Sequence, residues 1–194
     1  MTSVEIAAIR TLFDDRFRIV EAELRYPLPN SGLSPTVRRL SFERGDSAAA
    51  VVHDADRDMV LLARQFRFPT LQKGPGWPVE VVAGMIAAGE TPEDCIRREI
   101  VEEIGYRVES LRHISTFYSS PGGSSERIHL FHARVEAHSR VAAGGGSPQE
   151  HEDIELVEIP VADIPDLLAC NKIEDAKTLV GLYWFLQHVF RDRG

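Results

Sequence analysis

Residues 98–106 read REIVEEIGY, and their charge pattern is unusual for the end of a helix. Three glutamates, Glu99, Glu102 and Glu103, come just before Gly105, a residue typical of helix C-termini. The backbone carries partial negative charge at that end, and carboxylates three or four residues apart also repel one another. The segment gathers negative charge where a helix tolerates it least, which indicates a role other than stability.

The isoleucines of the same segment predict which face of the helix is buried. With about 100° per residue, Ile96 and Ile104 fall at roughly −40° and +40° from Ile100, whereas the glutamates fall between roughly −60° and −160°. The carboxylates therefore form a stripe beside the buried one. Clustered carboxylates are ligands that Mg²⁺ and Mn²⁺ accept, and a cation would relieve the repulsion. The stripe predicts a metal site at the edge of a cleft, with a solvated acidic face as the alternative.

The rest of the chain predicts a mixture of strands and helices. Thr91 and Pro92 are typical of a helix N-cap and first helical residue. Alternating or apolar stretches predict a hairpin, formed by AAAVVH and MVLLARQF, and strands at 19–26, 37–45, 79–84, 110–118, 127–135 and 154–159. Helical segments are predicted near 161–170 and 175–190. Because strands and helices do not alternate regularly, the predicted class is α+β, with a mixed sheet and helices on both faces.

Composition and charge exclude several classes of function. The 194 residues carry a net charge of −8, which argues against a nucleic-acid partner because such binding depends on many lysine and arginine contacts to phosphate. No run of about 18 uncharged apolar residues is present, so no membrane span is expected. The first 17 residues include charges where a signal peptide would be apolar, and only two cysteines occur. A cytoplasmic protein is the simplest expectation.

The spacing of residues before REIVEEIGY extends the pattern. Gly84 is followed, after five residues, by Glu90, and after seven more by Arg98. Residues 84–106 thus match the Nudix box, GX5EX7REUXEEXGU with U apolar or aromatic, at every specified position. The sequence resembles the Nudix hydrolases over roughly residues 45–190.

This resemblance implies an α/β/α sandwich, the Nudix fold, in which the box forms a loop, a helix and a second loop. It implies hydrolysis, with Mg²⁺ or Mn²⁺, of the pyrophosphate in a nucleoside diphosphate linked to another group. By position in the box, the implied metal ligands are the carboxylates of Glu99, Glu102 and Glu103 and the backbone carbonyl of Ala83. Arg98 is expected to orient these carboxylates, with Glu90 as its partner or as a support of the outer metal shell.

The general base is expected outside the box. In the nucleotide-sugar branch of the family a mobile loop carries it, and EHED at 150–153 matches that loop. Glu150 is the first candidate for activating water and Glu152 the second. A solvated acidic loop is the alternative.

Substrate contacts are expected from residues near the box. One of Arg64 and Arg67 is expected to bind the diphosphate or the terminal ribose, because arginine grips phosphate in a fork, and the other to form a surface ion pair. The resemblance favours Arg67 for the ligand. Glu80 and Met85 are also expected near the substrate, although a structural hydrogen bond is an equal alternative for Glu80.

The remaining motifs concern the substrate. PGGSSER and the spacing between Gly105 and Pro121 resemble ADP-ribose pyrophosphatases, whereas RQFR, AGGG and DAKT resemble GDP-mannose pyrophosphatases. The expected reaction is Mg²⁺-dependent hydrolysis of ADP-ribose to AMP and ribose 5-phosphate, with GDP-mannose, giving GMP and mannose 1-phosphate, as the alternative. A nucleotide sensor without turnover is disfavoured because the box is complete.

The resemblance also divides the chain. Residues 46–194 are expected to form the Nudix hydrolase domain. Residues 1–45 resemble the additional sheet through which these enzymes dimerise, so a homodimer is expected; an intramolecular hairpin is the alternative.

Overall fold

The computed structural model describes residues 3–30, 32–147, 149 and 151–190, excepting the side chain of Phe190. The chain separates into two compact units. The first comprises Met1–Asp46 and Tyr118–Arg127, and the second Ser47–Phe117 and Ile128–Gly194. The break at 46/47 lies next to the predicted division, but the loop 118–127 groups with the N-terminal residues.

The first unit contains a three-stranded antiparallel sheet. Its order is β1 (Glu5–Asp14), β2 (Arg18–Arg25) and β3 (Val37–Glu43). The sequence predicted β2 and β3 but not β1. The reason is visible in the register, which shifts between Ile6 and Ala8 and again between Thr11 and Phe13. Two irregularities in ten residues remove the strict alternation by which a strand is recognised.

The second unit is built around a seven-stranded mixed sheet. Its central strand, β4 (Ser47–Asp54), is buried along its whole length and pairs antiparallel with β5 (Met59–Arg64) and parallel with β9 (Arg127–Val135). The outer strands are β8 (Ser110–Tyr118) beside β9 and β10 (Glu155–Pro160) beside β5. The predicted strand at 79–84 is divided: β6 (Val79–Glu80) pairs with β5, and β7 (Val82–Met85) pairs with β4.

Helices cover both faces of this sheet, which confirms the α/β/α sandwich. On one face α1 (Pro92–Ile104) packs Ile96, Ile100 and Ile104 against the sheet, as the angular pattern predicted. On the other face lie α2 (Ile164–Ala169), which follows a short 3₁₀ turn, and α3 (Ala176–Phe185), which continues as a π-helix over Leu186–Phe190.

The ends of α1 follow the sequence closely. Thr91 is the N-cap, its hydroxyl accepting from the Asp94 N–H at 3.1 Å. Gly105 ends the helix in the left-handed conformation, φ +82°. None of the described helices is long and apolar enough to cross a membrane.

Candidate active site

Arg98 lies at the centre of the acidic stripe. Its Nε donates to Glu90 at 3.0 Å, and its Nη1 donates to Glu99 at 2.8 Å and to Glu102 at 2.9 Å. Hydrogen bonding to Arg98 is the main cause that lowers the pKa of Glu90 to about 2. One guanidinium thus hydrogen-bonds to three box carboxylates and fixes their direction.

Glu99 lies directly over the backbone of Gly84. A Cβ on residue 84 would come within 1.8 Å of Glu99 Oε1, so any other residue at this position would fill the space of the carboxylate. Gly84 belongs to β7, next to Ala83, whose carbonyl is an implied metal ligand. The first glycine of the box therefore permits a side chain of α1 to approach the backbone of β7.

Glu103 is the most unusual carboxylate of the cluster. It is 2% exposed, and its Oε2 is buried without a hydrogen-bond partner among the described residues. Burial raises its pKa well above the ordinary value, and the charges of Glu99, Glu152 and Glu80 raise it further, while Arg67 acts in the opposite direction. An unpaired buried carboxylate is costly, which is a strong indication that something else occupies this position during function.

Glu152 approaches the same cluster from the loop before β10. Its charge contributes to the raised pKa values of both Glu99 and Glu103. Its carboxylate accepts from the Ser147 N–H at 3.1 Å, and its own N–H donates to the Ser147 carbonyl at 3.2 Å. Glu150, the first sequence candidate for the base, lies outside the described residues.

Arg67 belongs to a second network of ion pairs, next to the acidic cluster. Its guanidinium contacts Glu80 at 2.9 Å, and the other oxygen of Glu80 accepts from Lys177 at 3.0 Å. Lys177 also contacts Asp175, the N-cap of α3. The sequence analysis did not single out Lys177, because it lies 97 residues from Glu80 and only the fold brings the two together.

Arg64 is separated from this arrangement. It ends β5 and forms an exposed ion pair with Glu155 at 3.0 Å. Arg64 and Arg67 do not share a strand, because β5 ends at Arg64 and Arg67 precedes a 3₁₀ turn. Met85 ends β7, is half-buried, and accepts from the Cys95 thiol through its carbonyl.

The donor set fits a divalent cation. Three hard carboxylates, one of them buried and unpartnered, and a carbonyl beside a glycine are the groups that Mg²⁺ or Mn²⁺ accepts. Another group within the described part of the chain, Asp56, Glu136 and His138, has its ligand atoms within 4.8 Å of one another. Asp56 and His138 are exposed and Glu136 is also paired with Arg134, so nothing there requires an ion.

Comparison with known proteins identifies the family of the chain. The family model of the NUDIX domain matches residues 43–180. A GDP-mannose pyrophosphatase of Pectobacterium atrosepticum is 34% identical over 187 residues, covering 95% of this chain and 93% of the relative. A GDP-mannose pyrophosphatase of Cronobacter sakazakii is 39% identical over 154 residues, 78% of this chain and 77% of the relative. The solved structure of an ADP compounds hydrolase shares the fold, with a TM-score of 0.76 and 19% identity over 100% of this chain and 97% of its own.

Proposed function

Because this chain belongs to the NUDIX family and is a nucleoside diphosphate sugar hydrolase, we propose that it is a Mg²⁺-dependent diphosphatase that prefers GDP-mannose. The products would be GMP and mannose 1-phosphate. The observation that carries the proposal is Glu103, whose buried Oε2 has no partner in the described part of the chain and whose pKa is raised by the charges of Glu99 and Glu152.

The metal would be held by Glu99, Glu102, Glu103 and the carbonyl of Ala83. A divalent cation bound there supplies charge neutralisation of the diphosphate and lowers the pKa of a coordinated water. Mn²⁺ accepts the same oxygen ligands and is expected to replace Mg²⁺.

The protein's own groups divide the remaining work. Arg98 orients Glu99 and Glu102 through hydrogen bonds before any ligand arrives. Arg67 offers phosphate a guanidinium that Glu80 holds in place, and Lys177 fixes Glu80 in turn. Glu152 is the described carboxylate best placed to accept a proton from the attacking water, and Glu150 is the alternative base. Met85, next to Gly84, remains a candidate contact with the substrate.

The order of substrates rests on the relatives. The sequence motifs alone placed ADP-ribose first, but the relatives that share 34% and 39% identity with this chain are GDP-mannose pyrophosphatases. ADP-ribose is therefore the second candidate, supported by PGGSSER. The structural neighbour is too distant in sequence to decide between the two sugars.

A substrate panel tests this proposal. Purified protein is incubated with Mg²⁺ and GDP-mannose, ADP-ribose, ADP-glucose or NADH, and the products are resolved by ion exchange. We expect the highest kcat/KM with GDP-mannose and no turnover in EDTA. A tenfold or greater preference for ADP-ribose overturns the substrate, and no turnover of any of the four overturns the function.

We also propose that the chain forms a homodimer through the first unit. Every residue of β1 is at least partly exposed, and its apolar residues Ile6 and Ile9 are 57% and 62% exposed. Ile6 pairs with Leu24 and Ile9 with Ala22, so these side chains lie on one face of the sheet. A second copy that covers this face would remove it from water.

A further inference from the structure

The segment that carries Glu152 is attached to the C-terminus of α1 by three consecutive glycines. The Gly145 N–H donates to the Glu103 carbonyl at 2.8 Å, and the Gly146 N–H donates to the Glu102 carbonyl at 3.0 Å. The last carbonyls of a helix have no partner within the helix. Here two of them, on the residues that also carry metal-site carboxylates, are satisfied by residues 144–146, which we call the glycine clasp.

The clasp adopts a conformation that only glycine takes readily. Gly144, Gly145 and Gly146 have φ of +74°, +105° and +85°, all in the range that L side chains rarely adopt. Donors from successive residues can face the helix end in this way, and they place positive partial charge against its negative end.

Two of the three glycines are also required by close contacts. A Cβ on Gly144 would come within 2.8 Å of the Glu103 carbonyl oxygen and of Ile104, so the backbone of the clasp touches the backbone of α1. A Cβ on Gly146 would come within 2.7 Å of Glu152 Cβ and 3.0 Å of Glu152 Oε2. Among the described residues, nothing lies within 4 Å of such a Cβ on Gly145, whose constraint there is its positive φ.

The clasp is also hydrogen-bonded to the residue that follows the loop of Glu152. The Ile154 N–H donates to the Gly145 carbonyl at 3.1 Å, so Gly145 joins Glu103 of α1 to the residue before β10. Within the loop, the Ser147 N–H donates to the Glu152 carboxylate at 3.1 Å. A continuous set of hydrogen bonds and contacts therefore runs from the carbonyls of Glu102 and Glu103 to the carboxylate of Glu152.

We infer that the glycine clasp is a positioning element of the reaction: it fixes Glu152 relative to Glu99 and Glu103 by anchoring its loop on the backbone of the metal-site helix. The inference rests on the proposed function, in which Glu152 acts on the attacking water. It assigns a role to residues that have no side chain with which to act on a metal or a substrate. Gly146 acts on Glu152 directly, and Gly144 acts by keeping the clasp against α1.

Alanine variants at these positions have a matched control elsewhere in the chain. Gly32 has φ +74°, the same as Gly144, but a Cβ there meets no atom within 4 Å in the part of the chain that the structure describes. Gly32→Ala therefore introduces the same backbone strain without a collision. We expect Gly144→Ala and Gly146→Ala to lower kcat about 100-fold, since a displacement of about 1 Å at a reacting group has effects of that size, with KM changed less than about threefold. Gly32→Ala is expected to keep kcat within about twofold of the parent chain.

A double-mutant cycle separates positioning from a general structural effect. If Gly146 acts through Glu152, then Gly146→Ala lowers kcat about 100-fold in the parent chain but less than about threefold in the Glu152→Gln background. Multiplicative losses would show that the glycine does not act through Glu152 and would overturn the inference. Full activity of Glu152→Gln, with activity lost in Glu150→Gln, would also overturn it, because the positioned group would not be the base.

Hydrogen exchange tests the anchor without any turnover. The amides of Gly145 and Gly146 are expected to be protected in the parent chain and in Gly32→Ala, and to lose at least about tenfold of that protection in Gly144→Ala. Rapid exchange of these amides in the parent chain overturns the clasp even if the enzyme is active. Normal protection together with no hydrolysis of any substrate instead counts against the proposed function and leaves the anchor standing.

Discussion

Glu99 Oε1 occupies the space that a Cβ of residue 84 would need, since the two would be 1.8 Å apart. This relationship between β7 and α1 explains the box glycine without any appeal to backbone freedom, because Gly84 does not have positive φ. Glycine is needed at position 84 because the side chain of Glu99 lies against its backbone. An added methyl group would push Glu99 away from the carbonyl of Ala83 and separate two of the proposed metal ligands.

Gly84→Ala is therefore expected to lower catalytic efficiency strongly while leaving the fold intact. We expect kcat/KM to fall by about 100-fold or more, because Glu99 can no longer lie over β7. Gly74→Ala is the matched control, since a Cβ there meets only the Thr70 carbonyl oxygen at 3.7 Å, an ordinary contact. Steady-state kinetics and circular dichroism of the three proteins check this, and a fully active Gly84→Ala enzyme would contradict it.

Replacing Glu103 by glutamine separates stability from activity. Among the described residues, one oxygen of this buried carboxylate has no partner. When the metal is removed with EDTA, the Glu103→Gln protein is therefore expected to have a free energy of unfolding about 1 kcal/mol higher than the parent chain. The same change is expected to lower kcat by several orders of magnitude, because a metal ligand is lost. Addition of Mg²⁺ should raise the Tm of the parent chain but not that of Glu103→Gln.

Glu93→Gln provides the control for this pair of effects. Glu93 is exposed in the first turn of the same helix and lies outside the cluster. Its variant should retain both activity and the Mg²⁺-dependent rise in Tm. An active Glu103→Gln enzyme, or one whose Tm still responds to Mg²⁺, would refute the assignment of Glu103 as a ligand.

The two arginines around β5 are expected to behave differently. Arg67 is held by the buried Glu80 and faces the acidic cluster, so Arg67→Ala should raise KM about tenfold or more by removing a phosphate contact. Arg64 forms an exposed pair with Glu155, so Arg64→Ala should keep KM within about twofold and change the free energy of unfolding by less than about 1 kcal/mol. Equal effects of the two substitutions would show that Arg67 has no special contact with the substrate.

The sequence predicted the parts of this site that are local and missed those that depend on contacts between distant segments. The helix, its caps and the carboxylate stripe follow from periodicity within α1. By contrast, Lys177 reaches Glu80 only because the N-terminus of α3 packs where β6 and β7 separate, with Thr178 accepting from the Val81 N–H. AGGG could be read as a family motif, but its contact with the end of α1 could not.

The missed strand β1 illustrates a second limit. Its apolar residues have a helix-like spacing in the sequence: Ile6, Ile9, Leu12 and Phe13. In the strand, two register shifts change which face of the sheet the following residues occupy. Pairing with β2 overrides that local pattern. Tertiary context of this kind has no signature within the ten residues themselves.

The lowered pKa of His132 leads us to expect a loss of stability in mild acid. It contacts Trp184 and Phe185 of α3 and stacks near His53, and burial, with a smaller contribution from nearby positive charge, lowers its pKa to about 4. The unfolded chain protonates histidine near pH 6.5. Between these values the unfolded state binds more protons, so the free energy of unfolding should fall as the pH drops from about 6.5 to about 4, by on the order of 2 kcal/mol.

Urea denaturation of the parent chain and of His132→Phe at pH 7.5 and pH 4.5 checks this. Phenylalanine keeps an aromatic ring in the cluster but cannot be protonated. The variant should lose about 2 kcal/mol less than the parent chain on acidification. The same loss in both proteins would mean that another group is responsible.

The exposed face of β1 gives the last prediction, on assembly. If a second copy covers Ile6 and Ile9, a charge at the more exposed of the two must be buried without a partner when the copies meet. Such a charge costs several kcal/mol, so Ile9→Glu is expected to convert the dimer to a monomer in multi-angle light scattering. Val180→Glu, at an aliphatic residue of α3 that is 42% exposed, should leave the dimer intact. A monomeric parent chain, or an Ile9→Glu variant that still dimerises, would show that this face is not the interface.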